Sequence, residues 1–265
     1  MQSISAKDGH ATPSYMVDGA QGPVRLQYFA PPERLRAYFG PLYVFTQTAD
    51  RYSDVTRADV PQLRFMLKGQ GQYHFHDGTT AATPDICLVG PTFGATRFEL
   101  DSPAHVVGIS LLPAGWVSMG GGDASLVADR LLDLGEARSG ALLDLLGRLR
   151  SLNDAEAMAQ CCWLHLARWL EPLPESTWRL LEAVDAWLMA EGSPRIETLA
   201  ERTGLSPRQL ARLTNRYYGC PPKLLARKYR ALRCSARIAL DHHSWQELCE
   251  DGRFYDQSHF IREIK

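Results

Sequence analysis

The feature that most constrains this chain is a tight turn set between two short amphipathic stretches in its last third. Ser193-Pro194 is expected to open the first, with Pro at the first helical position, where its missing N–H costs nothing. Ile196, Leu199 and Ala200 then form an i, i+3, i+4 apolar stripe, and Thr203-Gly204-Leu205 reads as the turn. Ser206-Pro207-Arg208-Gln209 starts the second helix, with Ser206 as N-cap and Gln209 as its capping-box partner. Leu210 and Leu213 face inward. Two short helices about a Gly-containing turn make a helix-turn-helix pattern, against the plainer alternative of a helical hairpin with a wet basic face.

Charge distribution is compatible with both alternatives. The chain of 265 residues has a net charge of −1, but the sign is uneven. Residues 1–175 hold 14 Lys+Arg against 19 Asp+Glu, whereas residues 195–240 hold 11 basic residues against the two acids Glu197 and Glu201. A basic block on an acidic chain is suited to a polyanion. The second helix offers Arg208, Gln209, Arg212, Asn215 and Arg216. Arg pairs bidentately with guanine and Asn with adenine in the DNA major groove, so these residues suit base readout. Beyond them, residues 223–240 read as one basic helix of about 27 Å at 1.5 Å per residue. Its Lys223, Arg227 and Lys228 are expected on DNA phosphates.

A second unit is expected over residues 244–265. Ser244-Trp245-Gln246-Glu247 is another capping box, Gly252 marks a turn, and Asp256 can cap a last helix. There Phe260 and Ile264 face inward, leaving Gln257, Ser258 and Arg262 for DNA. The two candidate reading helices begin 50 residues apart, at Pro207 and Gln257. A rigid linker helix could set them about one DNA turn, roughly 34 Å, from each other.

Two stretches give the chain its family likeness. LAERTGLSPRQLARLTNRYYGCPPKLLARKYRALRCSARI (residues 199–238) and FYDQSHFIREIK (residues 254–265) resemble the AraC/XylS family of transcription regulators, the second being similar to that family's GF.DQSHF.R.FK signature. The resemblance covers about a quarter of the chain. It implies a sequence-specific DNA-binding regulator with a double helix-turn-helix. Three departures stand out: Thr214 replaces a large apolar residue, residues 243–252 fit the second unit poorly, and the chain stops at Lys265 before the family's customary last stretch with its Gly-x-x-Pro. The second unit is therefore expected to be the weaker one.

Residues 1–22 are expected to be a disordered leader; they lack the apolar core of a signal peptide. Residues 42–48, 63–67, 72–76, 85–89, 97–101 and 105–111 are short segments rich in β-branched and aromatic residues, punctuated by Gly, Pro and Asp. They predict an antiparallel barrel or sandwich, and LKGQGQYHFHDG resembles a cupin-like sensing domain. Apolar spacing predicts three helices over residues 117–171, before a Pro-marked linker, EPLPE, at residues 171–175. The fold class is thus α+β: an antiparallel β-barrel or cupin-like sensing and dimerisation domain with trailing helices (23–171), then an all-α DNA-binding domain (176–265) with its first unit at about 195–218.

Six cysteines without a C-x-x-C make neither a zinc pattern nor a secreted disulfide framework and fit a reduced, cytoplasmic setting. His74, His76 and His105 hint at a cupin metal site, but Thr79-Thr80 stand where the pattern wants a Glu, so no metal and no cofactor is assigned. No catalytic residue is assigned either, since linear spacing shows no nucleophile with its base. Two competing classes are a metal-dependent cupin-type enzyme and a degenerate regulator acting by protein contact. Expected partners are double-stranded DNA, a small-molecule effector, RNA polymerase and a second copy of the chain; no membrane is among them.

Overall fold

The computed structural model describes residues 16–18, 24–48, 51–135, 140–190 and 194–240. The first half is two antiparallel sheets. The larger contains β1 (Met16–Asp18), β2 (Val24–Phe29), β3 (Phe39–Gln47), β5 (Gln62–Lys68), β8 (Ile86–Val89), β10 (Ala104–Leu111) and β11 (Leu131–Asp133), in the order β1-β2-β3-β10-β5-β8-β11. The smaller is β4 (Arg51–Thr56), β9 (Thr96–Asp101), β6 (Gly71–His74) and β7 (Thr80–Ala82), in the order β4-β9-β6-β7. The α+β class and the antiparallel pairing are those expected, but the sheets stay open and do not close into a barrel.

Two-residue periodicity decides what lies on each side of the large sheet. On β3, β5 and β10, Leu42, Val44, Leu63, Phe65, Val107 and Ile109 point to a core closed by α2 (Gly140–Ser151) and α3 (Ala155–Leu166), through Leu145, Leu149, Met158 and Leu166. Fully burying each such side chain contributes about 1.5–3 kcal/mol. The alternate positions Phe45, Met66 and Val106 face the other way, and they cluster with Tyr52 and Leu100 of the smaller sheet. The central strand β5 is therefore buried on both faces.

Several expectations are corrected. Residues 16–18, read as leader, pair with Arg25–Gln27 as an edge strand. Residues 126–134, read as a helix, are a 3-10 turn (Ala124–Val127) followed by β11, which pairs with β8. Two helices rather than three therefore follow the sheets. Short α1 (Pro113–Ser118) leads out of β10, and the linker is tied to it: Glu171 N donates to the Ser118 carbonyl at 2.8 Å and Ser118 Oγ to the Glu171 carbonyl at 2.5 Å. After it come α4 (Glu175–Met189), α5 (Ile196–Thr203), α6 (Pro207–Tyr218) and α7 (Pro222–Leu240). Helix α5 starts at Ile196 with Arg195 as N-cap, not at Pro194. A second core of Leu180, Val184, Trp187, Leu199 and Leu210 holds these helices, and Ala114, Tyr38, Phe93 and Val117 from the first half pack into it.

Candidate nucleic-acid interface and inter-sheet cavity

The expected helix-turn-helix is α5, the turn and α6. Leu199 and Leu210 are fully buried between the two helices and α4, and Trp187 Nε1 donates to the Arg195 carbonyl at 2.8 Å, fixing the entry to α5. Gly204 ends α5 in the left-handed region at φ 67°, a conformation that costs a glycine little. Ser206 caps α6 and the capping box is complete: Gln209 N donates to Ser206 Oγ at 3.3 Å and Ser206 N to Gln209 Oε1 at 2.9 Å. Thr214 does not leave a hole in this core. It is buried, and its hydroxyl donates to the Leu210 carbonyl at 3.0 Å.

This local structure sorts the candidate DNA residues. Arg208, Arg212 and Arg216 recur every four residues and stand exposed along one face of α6, with Asn215 half-buried beside them. Arg216 lies over the ring of Tyr217, 5.8 Å from its centroid. Gln209 is exposed, but its side-chain oxygen is held by the cap. On α7, Lys223 and Arg227 are exposed. Lys228 is not where a phosphate contact would place it: it is 7% exposed, donates from Nζ to the Asp59 carbonyl at 2.5 Å, and lies 4.8 Å over the Phe93 ring. Burial pulls its pKa down to about 8. Gln257, Ser258 and Arg262, with the whole second unit, lie outside the described residues.

Sequence reasoning missed a cavity of about 700 Å³ between the sheets. Leu26, Phe45, Phe98, Leu100 and Val106 give it an apolar wall. Tyr43, Gln62, Arg64 and Tyr73 give it a polar one, and Lys228, Tyr229 and Leu232 of α7 line it as well. Its size falls in the range of small-molecule sites, roughly 300–1,000 Å³. The signal was in the sequence: within QLRFMLK the apolar residues Leu63 and Phe65 alternate with Gln62 and Arg64, although the strand is buried on both faces. A fold alone does not call for buried polar side chains there. Burial raises the pKa of Tyr43 and of Tyr229 to about 12, so both phenols are neutral hydrogen-bonding groups at neutral pH.

The three histidines diverge. His74 Nε2 lies 3.8 Å from Glu99, His76 Nδ1 lies 3.3 Å from Asp129, and His105 is on β10 with burial holding its pKa down. Among the described residues no three metal-type ligands come together.

Residues 199–265 match the family described as a helix-turn-helix domain. The chain carries an AraC-type helix-turn-helix domain. The matched stretch takes in α6 and α7, and a helix-turn-helix domain of this kind supports a DNA-binding role in transcription regulation. Along most of its length the chain is similar to ToxT from Vibrio cholerae, at 12% identity over 86% of this chain and 92% of that one, with a TM-score of 0.44. It is also similar to the AraC-like transcriptional activator CuxR, at 13% identity over 85% and 87% of the two chains, TM-score 0.36. The sheets alone are similar to a cupin superfamily protein from Desulfitobacterium hafniense, at 14% identity over 36% of this chain and 83% of that one, TM-score 0.27. No curated protein matches the chain by sequence. No helix among the described residues is long and apolar enough to cross a membrane.

Proposed function

We propose that this regulator reads a specific DNA sequence through Arg208, Arg212, Asn215 and Arg216, and that a small molecule in the inter-sheet cavity sets how well it does so. In this reading residues 23–171 sense the effector and residues 176–265 bind DNA. The observation that carries it is the composition of the cavity wall. Helix α7 follows directly on the α6 reading helix, and its Lys228, Tyr229 and Leu232 line the same space as the sheets. An occupant would touch both parts at once, so any difference in its contacts between two arrangements shifts the DNA-binding equilibrium. Lys223 and Arg227 serve phosphates in this reading, and Lys228 serves the cavity.

Binding rather than catalysis is the work assigned to the cavity. The phenols of Tyr43 and Tyr229 are neutral, and its one amine is engaged by the Asp59 carbonyl and the Phe93 ring. The protein acts in the cytoplasm, with RNA polymerase and a second copy of the chain as further partners. The test is selection of bound sequences from a random DNA pool, followed by affinity measurements on the selected site with and without fractionated cell metabolites. A fraction that changes affinity for the selected site by fivefold or more, and loses that effect in Tyr229→Ala, supports the proposal. Affinity that no fraction alters would sink the sensing half, and a pool that yields no enriched sequence would sink the reading half.

A further inference from the structure

Arg64 is a buried cation whose charge no carboxylate meets. It sits in the middle of the large sheet and is 7% exposed. Among the described residues no acid forms a salt bridge with it. Its Nε and Nη2 both donate to Gln62 Oε1, at 3.0 and 2.7 Å, and its Nη1 donates to no described residue. The guanidinium lies 4.8 Å from the ring centroid of Tyr73 and 5.9 Å from that of Tyr43. Taking a cation out of water is expensive unless something of opposite charge arrives, and a guanidinium presents its donors as a rigid planar fork matched to an oxyanion.

The surroundings hold this fork in place. Gln62 Nε2 donates to Asp59 Oδ2 at 2.8 Å, which turns the amide oxygen toward Arg64. Gly108 stands between Tyr43 and Arg64 in the register of the sheet, opposite both. A Cβ there would come within 2.2–2.4 Å of the Tyr43 ring, so the absence of a side chain at position 108 is what lets that ring lie toward Arg64. The other charges on the cavity grade with depth. Asp54 and Arg57 are exposed, Asp59 is half-buried and bonded to Gln62 and to the Val60 N–H, and the two buried charged side chains of the lining, Arg64 and Lys228, are both basic.

We infer that the cavity takes an organic anion with an apolar body, its acidic head on the free edge of Arg64 and its body against Leu26, Phe45, Leu100 and Val106. This rests on the reading of the cavity as an effector site and adds the chemistry of the effector. Asp59 gives the anion a route to the DNA-binding half. Its side chain orients Gln62 and hence Arg64, while its carbonyl accepts from Lys228 of α7. A head group that draws Arg64 away from Gln62 therefore loosens a side chain on the residue that anchors α7.

The test uses the full chain and calorimetric titration with three acids and their uncharged amides: 4-phenylbutyrate, octanoate and indole-3-acetate against 4-phenylbutanamide, octanamide and indole-3-acetamide. At least one acid is expected to bind, with its amide tenfold weaker or worse. Arg64→Gln should weaken the acid by about 10- to 100-fold, the range for a hydrogen bond to a charged group, and leave the amide unchanged. Gln62→Glu, which gives Arg64 an internal counter-charge, should weaken the acid by at least tenfold and serves if Arg64→Gln shows no cooperative melting transition. Amides that bind as well as acids, binding by none of the acids, or wild-type acid affinity in a folded variant would each overturn the inference. Affinity for the selected DNA site is read in the same samples. An acid that binds through Arg64 without altering that affinity leaves the anion site standing and removes the effector reading. A neutral compound that alters it while no acid binds does the reverse.

Discussion

The same residue type does opposite work in the two halves of this protein. On α6, Arg208, Arg212 and Arg216 stand in water, where a cation costs nothing to keep and, in the proposed function, is open to a phosphate or a base edge. Between the sheets, Arg64 and Lys228 are buried, and each is held by a neutral oxygen, that of the Gln62 amide or the Asp59 carbonyl. A surface arginine can belong to a solvated helix face as easily as to a binding site. A buried arginine without a carboxylate needs a further explanation, because the fold must offset its desolvation. The cavity thus makes the sharper claim about chemistry, although α6 was the part visible in the sequence.

The largest expected effect tests the exposed side of this contrast. Arg208→Ala and Arg212→Ala should each weaken binding to the selected DNA site by about 1–3 kcal/mol and relax preference at one base position, as expected for bidentate base contacts. Thermal stability should not change, since neither side chain is packed. Equal losses on selected and random DNA would move both residues from base readout to the phosphate backbone.

The buried side is tested by pH. Lys228 has its pKa lowered from 10.5 to about 8 by burial. Between these values the unfolded chain binds a proton there that the folded chain does not, so folding stability should rise with pH across the window and not fall. The tyrosines oppose this only near pH 10 and above, where the unfolded chain begins to lose phenolic protons that Tyr43 and Tyr229 keep until about 12. Denaturant unfolding at pH 8, 9 and 10 should show wild-type stability climbing relative to Lys228→Met, by about 1–2 kcal/mol in total at no more than about 1.4 kcal/mol per pH unit. Parallel curves would mean that Lys228 is solvated and could reach DNA after all.

A smaller effect bears on why α6 starts where it does. Ser206→Ala removes one arm of the capping box and should lower stability by about 1 kcal/mol. The loss should appear as faster amide exchange in the first turn of α6; unchanged exchange there would show that packing of Leu210, not the cap, sets the helix start.

How much of the structure was legible in the sequence differs between the halves for the same physical reason. Caps, turns and i, i+3, i+4 stripes are local, and α6 was legible to the residue because Ser206, Pro207 and Gln209 specify its start within four positions. The strands β3, β5, β8 and β10 were legible because alternation and turn residues bound them. Residues 126–134 were misread because their apolar spacing fits a helix as well as a turn and an edge strand. Pairing of Leu131 and Leu132 with Val89 and Leu88 decides between the two, and that partner is some forty residues away. Strands β2 and β4 went unread, as did the helical character of α1. The cavity was illegible as a site because β3, β5, β6, β10 and α7 each bring only a few residues to it, and no linear spacing records their meeting. Only the polar alternation of Gln62 and Arg64 in a doubly buried strand could have pointed there.

The smallest expected effect sharpens the division within α7 itself. Lys223 and Arg227 lie one helical turn apart and are exposed, while Lys228, the next residue, is turned into the cavity. Consecutive helical positions are rotated by about 100°, so a single helix can give one face to phosphates and the neighbouring face to the sheets. A phosphate contact carries no sequence information, and its removal should weaken every DNA alike. Lys223→Gln and Arg227→Gln should each lower the salt dependence of DNA affinity by about one unit of slope while leaving the selected-to-random affinity ratio intact. Lys228→Gln should leave the slope where it is, because a side chain engaged by the Asp59 carbonyl releases no counterion from DNA. A slope lowered by Lys228→Gln as much as by Lys223→Gln would show that α7 turns its inner face to DNA in the bound state, and that the contact with Asp59 belongs to the unbound arrangement alone.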